Sequence, residues 1–161
     1  MKKRFFVLAL ALALSAAQAL SAQAKILYVY DEVNDQSKPY IGWFKTALEA
    51  NGIAYDEATA MQAAQRDLSQ YRLILAHGMV MAFDSKSPVR DWLKAERRLA
   101  GKPVALFVTA NRWFLDKLTK ELRDLLDKDG ATTVDALSTA TKKLDVAGKQ
   151  AAVNAFVAKL K

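Results

Sequence analysis

Leu73-Ile74-Leu75-Ala76 leads through His77-Gly78-Met79-Val80-Met81 to Ser87-Pro88-Val89-Arg90-Asp91-Trp92-Leu93. Leu99-Ala100-Gly101-Lys102-Pro103-Val104-Ala105-Leu106-Phe107-Val108 follows, and this stretch decides the fold. Apolar runs without alternation mark strands buried on both faces. Ser87-Pro88 has the form of an N-cap followed by Pro at the first helical position. The helix it opens carries Val89, Trp92, Leu93 and Leu99 as its apolar residues, and Gly101-Lys102 ends it. Strand, helix and strand in this order make a parallel pair with a helical crossover, and His77 stands at the end of the first strand.

The same alternation extends outward in both directions. Lys25 to Tyr30 is a first strand. Pro39 begins a helix with Ile41, Phe44, Ala47 and Leu48 on one face, closed by Asn51-Gly52. Ile53 to Glu57 is a weaker edge strand, followed by a short Ala/Gln-rich helical turn. Downstream, Asn111 caps a helix whose Phe114, Leu115, Leu118, Leu122, Leu125 and Leu126 recur at three- and four-residue spacing. Gly130 stops it. Ala131 to Leu137 is a fifth strand, and a helix from Ala147 to Leu160 buries Val153, Phe156, Val157 and Leu160. Strands alternating with helices predict an α/β, three-layer α/β/α sandwich over residues 25–161. Its five-stranded parallel sheet takes the order 2-1-3-4-5, with a crevice at the carboxyl ends of strands 1 and 3. A ligand is therefore expected among residues 31–38, 77–87 and 109–113.

Lys2, Lys3 and Arg4 precede an apolar run from Phe5 to Leu14, then small residues ending in Ala22-Gln23-Ala24. This is the order of a secretory signal peptide over residues 1–24, cut before Lys25. The run is shorter than the roughly 20 residues needed to span a bilayer, so no stable membrane anchor is expected after cleavage. The destination is the periplasm or the medium. Removal of residues 1–24 takes away three of the 24 basic residues and none of the 17 acidic ones, leaving a net charge of +4. No Lys/Arg-rich block marks a nucleic-acid footprint. The absence of Cys removes disulfides, Cys-ligated metals and thiol nucleophiles. The single His removes most zinc sites.

The stretch from Leu73 to Thr109 resembles the flavodoxin-like domain family, in which a strand–loop–helix unit precedes a G-K-x-V-A-L-F strand. Leu118 to Gly130 and Asp145 to Leu160 are similar to that family's last third. The resemblance implies FMN in the crevice and an electron-transfer role. On that pattern Ser37 contacts phosphate, Gly78, Met79, Thr109 and Asn111 border the ring, and Trp113 stacks on it. The loop after strand 1 departs from the family's T-x-T-G-x-T form. Asp31-Glu32-Val33-Asn34-Asp35-Gln36-Ser37-Lys38 has no Gly, one hydroxyl, three carboxylates and one cation, the wrong sign for a phosphate nest. The alternative expectation is a flavin-free binding or accessory domain with no catalytic activity. The partner expected is a redox or accessory protein, or, for the flavin-free domain, a protein or a small ligand.

Two other constellations merit weighing. Asp31, Ser37 and His77 are brought near one another by a 2-1-3 strand order, as a Ser–His–Asp set requires, but no G-x-S-x-G elbow is present. Ser37 reads better as a helix cap. Asp31, Glu32 and Asp35 are hard-cation ligands by type, with Thr109 and Lys142 or Lys143 echoing a receiver domain. That reading lacks the required Asp at the end of strand 3, where Ala76-His77 stand. No catalytic acid or base stands out.

Overall fold

The computed structural model describes residues 25–80, 87–110, 115–139 and 144–161. In chain order the elements are β1 (Ile26–Tyr30), α1 (Ser37–Ala50), β2 (Tyr55–Thr59), α2 (Ala60–Ala63) and a 3-10 turn (Leu68–Gln70). Next come β3 (Leu73–Val80), α3 (Pro88–Ala95), β4 (Pro103–Ala110), α4 (Leu115–Lys128), β5 (Thr132–Ser138) and α5 (Val146–Ala158). All strand pairs are parallel and the sheet order is β2-β1-β3-β4-β5, as the sequence predicts. The central strands are apolar without alternation because helices cover both faces.

Residue parity along each strand assigns side chains to one core or the other. Leu27 and Val29 of β1, Ile74 and Ala76 of β3 and Leu106 of β4 pack against α3 and α4 through Val89, Leu93, Leu118 and Leu122. Ile26, Tyr28, Leu75 and Phe107 face the other way, onto Phe44 and Leu48 of α1 and Phe156 of α5. That alternation places the two polar groups that matter most. Asp31 continues the parity of Leu27 and Val29 toward α3, whereas His77 shares the α1 and α5 face with Leu73 and Leu75.

Several boundaries differ from the sequence expectation, each for a local reason. β2 and β5 begin at Tyr55 and Thr132 rather than Ile53 and Ala131. In both places a helix ends in a Schellman motif, which claims the next apolar residue as its own terminus. Gly52 (φ 65°) donates to the Glu49 carbonyl and Ile53 to that of Leu48. Gly130 (φ 72°) and Ala131 repeat this with Asp127 and Leu126. Helix α3 ends at Ala95, so Leu99 reaches the core from a turn instead of from the helix. The Glu96 carboxylate organises that turn by accepting from the Arg98 amide at 2.9 Å and Nε at 2.7 Å. Helix α1 starts at Ser37 rather than Pro39, which sits harmlessly in the first turn, where its missing N–H is not needed. Helix α5 spans Val146–Ala158, one residue earlier at its start and two shorter at its end than read from the sequence. His77 does not end β3. Gly78, Met79 and Val80 extend the strand, paired with Val108, Thr109 and Ala110.

Candidate functional site

The carboxyl ends of β1, β3 and β4 meet at the switch point of the sheet, where an open α/β fold binds ligands. Asp31, immediately after β1, is 7% exposed. Its Oδ2 accepts the Met79 amide at 2.6 Å and its Oδ1 the Val89 amide at 2.8 Å. The Ser87 hydroxyl donates to both oxygens at 3.0 Å. Ser87 is at the same time the N-cap of α3, accepting from the Arg90 amide at 3.2 Å. The carboxylate therefore lies against the positive end of α3 and links β1 to β3 and to the helix that follows. Burial raises its pKa above the usual Asp value, and the bonds from Met79, Val89 and Ser87 act against that rise.

The loop from Glu32 to Lys38 folds around Asn34. Its side-chain oxygen accepts the amides of Gln36 and Ser37, both at 2.9 Å. Its own amide donates to Ser37 Oγ at 2.8 Å, and its carbonyl accepts the Lys38 amide at 2.9 Å. Ser37 Oγ donates to the Glu32 carbonyl at 2.9 Å. Ser37 is thus the first residue of α1 and not its cap. The capping acceptor is Asn34, whose role was not read from the sequence.

His77 is 1% exposed, and burial lowers its pKa to about 3. Its Nδ1 lies 3.0 Å from Tyr28 Oη and its Nε2 3.2 Å from Thr109 Oγ1. A neutral imidazole has one acceptor and one donor nitrogen, so Tyr28 donating to Nδ1 and Nε2–H donating to Thr109 satisfies the ring. Tyr40, Phe44 and Phe107 enclose it, with ring centroids 5.2–5.7 Å away. Tyr28 is buried throughout, and desolvation raises its pKa well above the ordinary phenol value. Tyr40 is raised by partial burial, opposed by its hydrogen bond to Thr139.

Ser37, His77 and Asp31 accordingly form no triad. Each has its polar atoms engaged elsewhere, and His77 points to the opposite face of the sheet from Asp31. Asp31, Glu32 and Asp35 do not gather, and no cluster of three or more metal-capable side chains exists among the described residues. Of the residues expected to border a ligand, Gly78 and Met79 belong to β3 and Thr109 to β4, not to the loops that follow. Met79 donates its amide to Asp31, and Thr109 Oγ1 accepts from His77 Nε2. A Cβ at Gly78 meets only ordinary contacts, with Ser87 Oγ at 3.4 Å nearest. Asn111 and Trp113 lie outside the described residues, as do Met81, Phe83, Arg112, Phe114, Lys142, Lys143 and the leader at 1–24.

Comparison with solved structures places this geometry among known proteins. Flavodoxin 2 from Bacillus cereus superposes with a TM-score of 0.59 at 21% identity, over 86% of this chain and 100% of that one. The fold is flavodoxin-like. A Fusobacterium nucleatum flavodoxin variant bound to flavin mononucleotide gives a TM-score of 0.64 at 11% identity, covering 85% of this chain and 95% of its own. A flavodoxin variant from Pseudomonas aeruginosa gives 0.59 at 15% identity, covering 84% and 98%. No family profile and no curated protein sequence matches the chain.

FMN carries a phosphate, with close to two negative charges at neutral pH. A flavodoxin-like crevice holding it by that group needs converging N–H donors. In this chain the amides of Asn34, Gln36, Ser37 and Lys38 already have acceptors, and Glu32 and Asp35 stand exposed beside them. In this arrangement those four amides are not free to receive a phosphate.

Proposed function

We propose that the protein is an exported, single-domain electron-transfer module that holds a flavin by its ring in the crevice at the ends of β1, β3 and β4. One observation carries this reading. The sheet order and overall fold are shared, over 85% of the chain, with a flavodoxin bound to flavin mononucleotide. A flavin supplies one- and two-electron chemistry that the chain's own residues do not. Of the described titratable groups near the crevice, Asp31 is fully engaged and His77 is held neutral below the surface. Asn111 and Trp113, which lie outside the described residues, are the ring-side residues in this reading, and the electron donor or acceptor is a second protein. Export follows from the signal-type order of residues 1–24, and N-terminal sequencing of periplasmic material should begin at Lys25.

The closed loop around Asn34 favours a second reading, a flavin-free accessory domain on the same scaffold. An absorbance spectrum separates the two. The purified protein is incubated with excess flavin and desalted. A retained 1:1 flavin band supports the electron-transfer module. A colourless protein whose melting temperature ignores flavin refutes it and leaves the accessory reading.

A further inference from the structure

We infer that Asp135 and Arg123 hold the β5 edge of the sheet closed against strand pairing with a second copy of this chain. β2 and β5 are the end strands, and neither has a neighbour on its outer side among the described residues. A row of unpaired peptide groups on such an edge is a template for another chain. Successive residues of a strand turn these groups alternately to one side and the other. On β2 the Ile26 amide donates to the Ala54 carbonyl at 2.9 Å, so Asp56 and Ala58 face β1 while Tyr55, Glu57 and Thr59 face outward. Arg66 Nη2 donates to the outward Glu57 carbonyl at 3.1 Å, and the Thr59 amide donates to Gln62 Oε1 at 2.9 Å.

On β5 the Thr132 amide donates to the Lys102 carbonyl at 3.1 Å, which sets Thr132 toward β4 and Thr133 outward. The register then skips. Val104 pairs with Thr133 but Leu106 with Ala136, so β5 carries one residue more than β4. Past this bulge the Ala136 amide donates to Asp135 Oδ1 at 2.8 Å, and Arg123 Nη2 of α4 approaches the Ala136 carbonyl at 3.5 Å. Asp135 Oδ2 accepts from Lys159 Nζ, just after α5, at 2.9 Å. A bulge and charged side chains are the means by which an edge is blunted. The strand itself favours pairing: Thr-Thr-Val-Asp-Ala-Leu-Ser holds Asp135 as its one charge, and Val134 is 45% exposed. β2 carries Asp56 and Glu57 in five residues, so two β2 strands repel. A two-fold axis lays β5 antiparallel on β5 of a second copy, an arrangement in which identical edges complement each other. Without Asp135 and Arg123 the Ala136 amide and carbonyl are open to that copy, and the strand has no charge to oppose it.

The test is sedimentation velocity of the purified protein over a concentration series, with hydrogen exchange of the β5 amides. Wild type should show no pairing through β5. Asp135→Ala/Arg123→Ala should form a dimer at least about tenfold tighter than any wild-type association, since each copy gains a free donor and a free acceptor. Exchange over residues 132–138 should slow in the double variant as concentration rises. Val134→Lys added to it should restore the monomer, because a lysine on an edge opposes pairing. If the double variant does not fold, Arg123→Ala decides in its place, since Arg123 is exposed and belongs to neither core; it should associate more tightly than wild type. A folded variant that stays monomeric overturns the inference. So does a dimer in which β5 exchange is unchanged, or a wild type that already pairs through β5.

Discussion

Replacing Asp31 by Ala tests whether one carboxylate holds the crevice end of the sheet to α3. The substitution removes the acceptor of the Met79 and Val89 amides and of the Ser87 hydroxyl. Ser87 Oγ keeps the Arg90 amide as a donor to it, but the two backbone amides lose their acceptor. A buried N–H left unpaired costs about 1–3 kcal/mol, so two cost about 2–6 kcal/mol. Some of that is returned, because the charged carboxylate is itself desolvated, as its raised pKa indicates. A net loss of about 2–4 kcal/mol follows from partners left unpaired when one side of a buried polar cluster is deleted. In urea this lowers the unfolding midpoint by roughly 1–2 M for an m-value of about 2 kcal/mol/M. Asp31→Asn keeps one oxygen for one amide but sets its NH2 group against the other donors, and should cost less than Ala. The pH dependence adds a sign. A carboxyl with a raised native pKa holds its proton more readily folded than unfolded, so its stabilisation is present at low pH and lost as pH rises through the raised value. The wild type should therefore gain on Asp31→Asn as pH falls from 7 toward 4, and every other titrating group cancels in that difference. A loss below about 0.5 kcal/mol for Asp31→Ala, or a wild type that loses ground on Asp31→Asn in acid, refutes the reasoning.

His77 carries the opposite sign. Its native pKa of about 3 lies below the ordinary imidazole value, so the unfolded chain binds a proton first and stability falls by about 1.4 kcal/mol per pH unit below roughly pH 6.5. His77→Gln should remove that slope between pH 6.5 and 4, and the wild-type imidazole NMR shifts should stay flat from pH 5 to 8. A slope that survives in His77→Gln, or a His77 that titrates near 6.5, contradicts the buried neutral ring. Phe107 is fully buried, with ring centroids 4.8 Å from Phe44 and 5.1 Å from Phe156. Phe107→Ala should cost about 3–5 kcal/mol in urea unfolding, and a loss under 1 kcal/mol would show that the aromatic cluster is not the packed core of the α1 and α5 face.

The architecture was legible because β1, β3 and β4 are each covered by helices on both sides, which forces uninterrupted apolar runs, and because Ser87-Pro88 and Gly130 announce helix ends by their backbone chemistry. The errors have a common origin in residues whose partners are distant in sequence or belong to a neighbouring element. Ile53 and Ala131 look like strand residues, and only the carbonyls of Leu48 and Leu126 claim them for helix termini. His77-Gly78 looks like a strand end, yet pairing with Val108 to Ala110 carries β3 onward to Val80. The strand order, and with it the switch point between β1 and β3, was legible, and the sign of the loop there was visible in three carboxylates against one lysine. What escaped the sequence was where those polar groups point. Parity supplied part of the answer, since Asp31 lies two residues beyond Val29 and four beyond Leu27 and so faces the α3 layer, where Ser87 was already marked as a cap. Asn34 gave no such signal: it acts on amides two and three residues ahead, a local turn that any Asn in a polar loop can make or not. The fold thus sets the switch point of the sheet, while two short side chains, Asp31 and Asn34, determine which amide donors there already have acceptors.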